Sequence, residues 1–311
     1  MNDYRPEGSL IKTLKNYEFI SSLSGLEKAL EKQVILEAPA ILCDHNFDLH
    51  VELGCGITGI IPRCEVEYSA DGESAKDIAI LTRVGKTVCF KVLGFRKNAN
   101  GDTIAMLSRK AAQLECTENF ISTLIPGDII KAKVTHLENF GAFVDIGCGR
   151  VSLLSIDSIS VSRISHPSAR LSVGDLIYTV VRNIDERRRL SVSCRELLGT
   201  WEENAALFSE GQTVRGIIRS VENYGVFVEL SPNLAGLAEY RDNVHSGQTA
   251  AVYIKSIIPE KMKVKLIIID SDDINTSPPS LNYFIDAEKT VHIDRWRYSP
   301  KNSQRIIETV F

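Results

Sequence analysis

The chain has 311 residues, 44% of them hydrophobic, and a formal net charge of −4. That length exceeds one small domain and suits two or three compact ones with real cores. The charge excludes the plainest nucleic-acid signature, a strongly basic domain, but leaves room for a basic face on an acidic molecule. Seven cysteines are scattered with no C-x-x-C pair, which reads as reduced thiols in a cytoplasmic protein rather than a disulfide frame or zinc site. The first ten residues, MNDYRPEGSL, carry no signal-type apolar run. No stretch reaches the roughly 18 consecutive apolar residues of a membrane span, so no membrane partner is expected.

In chain order, the first element is a short helix over Ser24 to Gln33, where Ser24 and Glu27 have capping-box spacing. Next comes a phrase that recurs. Val51-Glu52-Leu53-Gly54-Cys55-Gly56 aligns with Val144-Asp145-Ile146-Gly147-Cys148-Gly149, 93 residues on, and with Val228-Glu229-Leu230-Ser231-Pro232-Asn233, a further 84 residues on. These spacings exceed solenoid periods and approach the length of a small barrel. Around each copy run short alternating segments that begin at a glycine, such as PGDIIKAKV, EGQTVRGII, VGKTVCFKV, VGDLIYTVV and SGQTAAVYI, and end in IAMLS, LSVS or KVKLII. Alternation of this kind marks half-buried strands. Five such strands per copy predict an all-β protein of three tandem five-stranded Greek-key barrels of OB type. Arg109 to Leu124 and Cys194 to Phe208, rich in Ala, Leu and Glu, read as helical connectors, with Trp201 packed on a barrel end. DSDDINTSPPS reads as a linker. The aromatic tail from Leu281 is too apolar for disorder and is expected to fold back on the third barrel or dock on a partner.

The second copy, GDIIKAKVTHLENFGAFVDIGCGRVSLLSIDSIS followed by VGDLIYTVVRNIDERRRLSVSCRE, and the third, GQTVRGIIRSVENYGVFVELSPNLAGLAEY, resemble the S1-motif family of RNA-binding domains. The whole chain resembles the short S1-like proteins of Gram-positive bacteria. With the helices read above, the chain divides into an N-terminal helical extension over residues 1–34 and a degenerate S1-like barrel over 35–110. A helical linker follows over 111–125, then an S1 barrel over 126–194 and a second helical linker over 195–209. A barrel with a divergent second half covers 210–268, and a tail covers 269–311. The resemblance implies that Phe140 and Phe143, and Tyr224 and Phe227, face single-stranded RNA, with Asp185, Arg189 and Lys263 nearby. A family histidine falls at Ser155, Glu239 and Pro62, so all three copies lack it. In the first copy Phe47 and His50 take the aromatic places with no glycine between them, which suits a structural or protein-contacting barrel.

The chemistry is that of a stacking platform. Phe140 and Phe143 are three apart, an odd separation that would put them on opposite faces of a regular strand. A bulge at Gly141 would turn both rings to one side. Two rings then stack two unstacked bases, and Lys131, Lys133, Arg182, Arg187, Arg188 and Arg189 hold phosphates. In the third copy the cations are Arg215, Arg219, Lys255, Lys261 and Lys263. The expected function is non-catalytic binding of single-stranded RNA in association with the small ribosomal subunit, supporting translation. The competing readings are a protein-interaction scaffold and an accessory subunit of an RNA-processing complex. The six histidines show no metal spacing, and neither H-E-x-x-H nor G-x-S-x-G occurs. No enzyme activity, cofactor or metal is therefore expected.

Overall fold

The computed structural model describes residues 4–54, 56–69, 72, 75–186, 189–273 and 281–311. Three closed five-stranded barrels dominate it. The first is built from β1 (Leu36–Cys43), β2 (Leu49–Glu52), β3 (Thr58–Ile61), β4 (Thr87–Lys97) and β5 (Thr103–Ser108). The second uses β6 (Ile129–Glu138), β7 (Gly141–Asp145), β8 (Val151–Ser155), β9 (Leu176–Ile184) and β10 (Leu190–Ser193). The third uses β11 (Thr213–Glu222), β12 (Gly225–Ser231), β13 (Leu234–Ala238), β14 (Thr249–Ile258) and β15 (Lys263–Asp272). Each closes the same way: the first strand pairs with the second and fourth, and the third runs parallel to the fifth. This is the expected OB arrangement. It forms even in the degenerate first copy and in the third, whose second half is divergent.

Alternation explains the barrels. Val51, Val144 and Val228 point inward and are fully buried. The acid that follows each valine points outward, because strand side chains alternate in direction. Glu52 is accordingly exposed. Asp145 and Glu229 are only 2% and 3% exposed, because other parts of the chain cover them.

The chain forms two compact units, residues 1–124 with 145–151, and residues 125–144 with 152–311. In the first unit, residues 4–13 lie as an arm over β1 and β4. Leu10 N and Ile11 N donate to Glu37 Oε2 at 2.8 and 3.0 Å, and Cys89 N donates to Glu7 Oε1 at 3.0 Å. Arg109, fully buried, grips the Glu7 carboxylate through Nε at 2.7 Å and Nη2 at 3.1 Å. Asp145 accepts from Glu7 N at 2.7 Å and from Gly147 N and Gly149 N at 2.8 and 3.0 Å. Two helices precede β1 rather than one. The helix expected from Ser24 starts at Leu23 with Ser22 as its cap, and an additional helix spans Leu14–Ile20 behind a Thr13 cap. The two helices cross at Gly25, where a Cβ would lie 2.5 Å from the Phe19 carbonyl oxygen.

In the second unit, the connection between β8 and β9 reaches the third barrel. Arg170 and Arg219 both bind Glu229, Arg219 through Nε at 2.8 Å and Nη2 at 3.2 Å. Asn233, wholly buried, accepts from Val161 N and donates to the carbonyls of Arg195 and Gly199. The tail packs on both barrels of this unit. Tyr178 N donates to Tyr283 Oη at 2.9 Å, His292 Nδ1 bonds Asp128 at 2.7 Å, and Tyr298 Oη donates to Asn233 O at 2.6 Å. The hairpin of β16 (Arg295–Arg297) and β17 (Glu308–Val310) adds Trp296 to the core cluster of the third barrel, which also holds Trp201. The connector over Arg109–Asn119 is one helix. The later one is only a 3-10 turn, Arg195–Leu197, and a helix, Trp201–Ala205. Gly199, at φ +82°, breaks it, and Phe284 packs where a Cβ would stand. Part of the expected linker, residues 274–280, lies outside the described residues. Among the described residues no helix is long and apolar enough to cross a membrane.

Two predictions follow from these buried charges. Glu229→Ala leaves two arginines buried without their carboxylate and costs about 3–5 kcal/mol in denaturant unfolding. Glu52→Ala, at the same repeat position but exposed, changes stability by less than about 0.5 kcal/mol. Burial raises the Glu37 carboxyl to about 7, against the pull of the Leu10 and Gly8 amides. Burial and the neighbouring Glu7 charge raise Asp145 likewise. Acids raised in the folded state bind protons more tightly there than in the unfolded chain, so stability falls as pH rises from about 4.5 to 7 and then levels. Thermal unfolding from pH 5 to 8 should show this loss, and Glu37→Gln should reduce it.

Candidate nucleic-acid interface

The aromatic pairs come together by the route a two-residue turn provides. Tyr224 occupies the turn between Glu222 and Gly225, which pair directly, and Phe227 follows on β12 opposite Ser220. The rings meet edge to face with centroids 6.1 Å apart at 87°. Phe140 and Phe143 repeat this at 6.0 Å and 86°, a favoured aromatic geometry. Phe140 is 55% exposed and Tyr224 70%, so each pair offers an open ring face. In the third barrel no register shift falls at Gly225, the counterpart of Gly141. The bulge sits on the partner strand, between Ile218 and Ser220. The glycine serves close approach instead: a Cβ on Gly141 would lie 2.4 Å from Leu154 O, and one on Gly225 2.4 Å from Ala238 O.

The cations distribute unevenly. Lys131 and Lys133 share the outward face of β6 with Thr135, whose hydroxyl donates to Phe143 O at 3.0 Å. Lys133 is two residues from Thr135. Lys131 is four away, about 13 Å along the strand, and its ammonium lies 5.4 Å from the Tyr178 ring centroid. Asp185 and Arg189 clamp the β9–β10 hairpin: Arg189 N and Nε donate to the carboxylate at 2.8 and 2.7 Å. The Arg189 side chain stays 73% exposed. Arg182 donates to Ser158 Oγ at 2.6 Å. Arg187 and Arg188 lie outside the described residues. Arg219 does not stand beside Tyr224 and Phe227 as a solvated cation. The bulge turns it onto Glu229, with its side chain 13% exposed. Lys263 opens β15 and is exposed.

Some residues of the face were not singled out from sequence. His136 stacks on Phe143 with centroids 6.5 Å apart at 19°. The residue opposite Phe227 is Leu237, and Leu237 lies opposite Lys265. Glu239, assigned to the family histidine, falls just past the end of β13. In the first barrel the corresponding row is Leu42, His50, Ile60 and Met106. Its Phe47 packs against the core and lies 4.9 Å under the Arg63 guanidinium. This barrel has no aromatic pair at the hairpin. Among the described residues no cluster of His, Cys, Asp or Glu could hold a metal ion.

Residues 123–195 match the family model of the S1 RNA binding domain. This S1 segment carries Phe140, Phe143, Asp185 and Arg189. The chain as a whole is 28% identical over 293 residues to small ribosomal subunit protein bS1 of Staphylococcus aureus, covering 88% of this chain and 72% of that protein. It is 30% identical over 180 residues to the bS1 of Staphylococcus saprophyticus, covering 52% of this chain and 46% of that one. A crystal structure of a multidomain protein with nucleic acid binding domains from Streptococcus pneumoniae covers 76% of this chain and is itself covered to 73%, at 15% identity and a TM-score of 0.25.

The S1 glycine gives a sharp test. Gly141→Ala drives a methyl into the Leu154 carbonyl and should cost about 1–3 kcal/mol, read as a lower unfolding temperature. Ala142, already buried with its methyl in place, marks how local that limit is.

Proposed function

We propose that the protein binds single-stranded RNA without catalysing its change, through the outer faces of the second and third barrels, and does so on the small ribosomal subunit during translation in the cytoplasm. The observation that carries this reading is the pair of matched aromatic hairpins, Phe140–Phe143 and Tyr224–Phe227, in the segment that matches the S1 RNA binding domain and in its next repeat. Each exposed ring stacks a base at a gain of about 1–3 kcal/mol, regardless of which base it is. Lys133 on the outward face of β6, Arg189 on the β9–β10 hairpin and Lys263 at the start of β15 supply the cations that meet phosphates in this reading. Two modest sites on one chain raise affinity through effective concentration. The similarity to bS1 proteins supports the ribosomal setting. The first barrel, with Leu42, His50, Ile60 and Met106 in the corresponding row, serves as a structural or protein-contacting module.

The test is fluorescence anisotropy of a labelled oligouridylate with the full chain at several salt concentrations. Phe140→Ala with Phe143→Ala should weaken binding about tenfold or more. The parent's affinity should fall steeply with salt. A double variant that binds as tightly as the parent at equal salt would defeat the reading.

A further inference from the structure

The three barrels share a fold but not an exposed surface. The outward face along the first and fourth strands can be followed through the registers. Thr213 pairs with Tyr253 in the third barrel, and Ile129 pairs with Val180 at the same place in the second. Counting from the matched pairs Ala40–Val51 and Ile218–Val228, Lys91 takes this place in the first. Lys91 is 8% exposed and ion-paired with Glu115. Val180 is fully buried, on the strand whose Tyr178 N donates to the tail's Tyr283. Tyr253 is 37% exposed. In two barrels the position is closed within the folded chain, and in the third it holds an aromatic ring open to solvent.

That ring stands across the closed barrel from the Tyr224–Phe227 pair, and outward side chains link the two around the wall. Phe227 is opposite Leu237, Leu237 is opposite Lys265, and Tyr253 is opposite Ile267, one outward position further along β15 than Lys265. Leu237 is 36% exposed and Ile267 45%. Lys255, Lys263 and Lys265 are exposed along the same pair of strands. Three strand spacings separate β12 from β14, about 14 Å around the barrel. The order across the surface is therefore aromatic pair, aliphatic, cation, and then an aliphatic beside a second aromatic. In the second barrel Ser191 stands at the Lys265 position, opposite Leu153.

We propose that Tyr253 is a second base-stacking site, reached from Tyr224 and Phe227 by an RNA strand that crosses Leu237 and leaves a phosphate on Lys265. The third barrel then holds a longer stretch of RNA than the second. The inference rests on the RNA-binding reading above and extends it to a ring and a cation of this chain. Arg215 and Asp270 flank Ala251 beyond the ring, and Asp270 bounds the path because it repels the backbone. The strand ends at Tyr253.

The experiment uses the full chain carrying Phe140→Ala and Phe143→Ala, so that the third barrel dominates, and labelled oligouridylates of four and twelve nucleotides. Tyr253→Ala should weaken binding of the twelve-nucleotide probe about tenfold and leave the four-nucleotide probe within twofold. Tyr253→Phe should restore it, which separates a lost ring from a damaged fold. Lys265→Gln should lower the slope of log affinity against log salt by about 0.7 on the long probe. Equal binding of both probes by Tyr253→Ala and its parent overturns the second stacking site. An unchanged salt slope in Lys265→Gln overturns the path. If the otherwise unmutated chain fails to bind either probe, it is the RNA reading itself that fails.

Discussion

A buried carboxylate has to be matched, and two of the three repeats are organised around one. The acid that follows the inward valine points away from the barrel core, where an isolated barrel would leave it in water, as Glu52 is left. At Asp145 and Glu229 the chain covers it, and the cost of desolvation has to be met by donors. Asp145 takes three backbone amides, from Glu7, Gly147 and Gly149, which offset only part of that cost, since burial and the Glu7 charge still raise its carboxyl. Glu229 takes two guanidinium groups. In each unit the outward acid is thus where a separate stretch of chain is fastened, the N-terminal arm in one and the Arg170 connection in the other.

This constraint also accounts for Arg219. A cation one residue from the row that faces Phe227 is well placed by sequence for a phosphate, yet the bulge turns it toward Glu229. The same side chain cannot satisfy a buried carboxylate and meet an RNA backbone. The third barrel's positive charge then falls to the lysines of β14 and β15, on a surface that the tail leaves open. The second barrel keeps Arg189 on its hairpin tip, where Asp185 orients the side chain without burying it.

The barrels were legible because their evidence is periodic. Val144, Ile146 and their counterparts alternate with polar residues, and the phrase repeats three times. The aromatic pairs were legible as neighbours, though in the third barrel a two-residue turn, not a bulge at Gly225, brings them together. What escaped the sequence depends on contacts remote in the chain. Nothing near Glu229 announces Arg170, 59 residues away. Leu237 and Lys265 become adjacent only through the parallel pairing of β13 and β15, and neither matches a family position. The helix over Leu14–Ile20 has a cap in Thr13 but too short an apolar pattern to stand out. The tail's role was left between two alternatives, and Trp296 and Tyr298 settle it by entering the core of the third barrel.

The placement of those two rings sets a timetable for synthesis. Chains emerge from the N-terminus and fold by compact units as they appear. The first unit lacks the Asp145 that receives the Glu7 amide until translation has passed the first strands of the second barrel. The third barrel lacks Trp296 and Tyr298, which come well after β15 ends at Asp272, until that later segment has been joined. Its apolar end therefore stays open after all five of its strands have been made, and the segment from Trp296 to Ile307 completes its core rather than follows it.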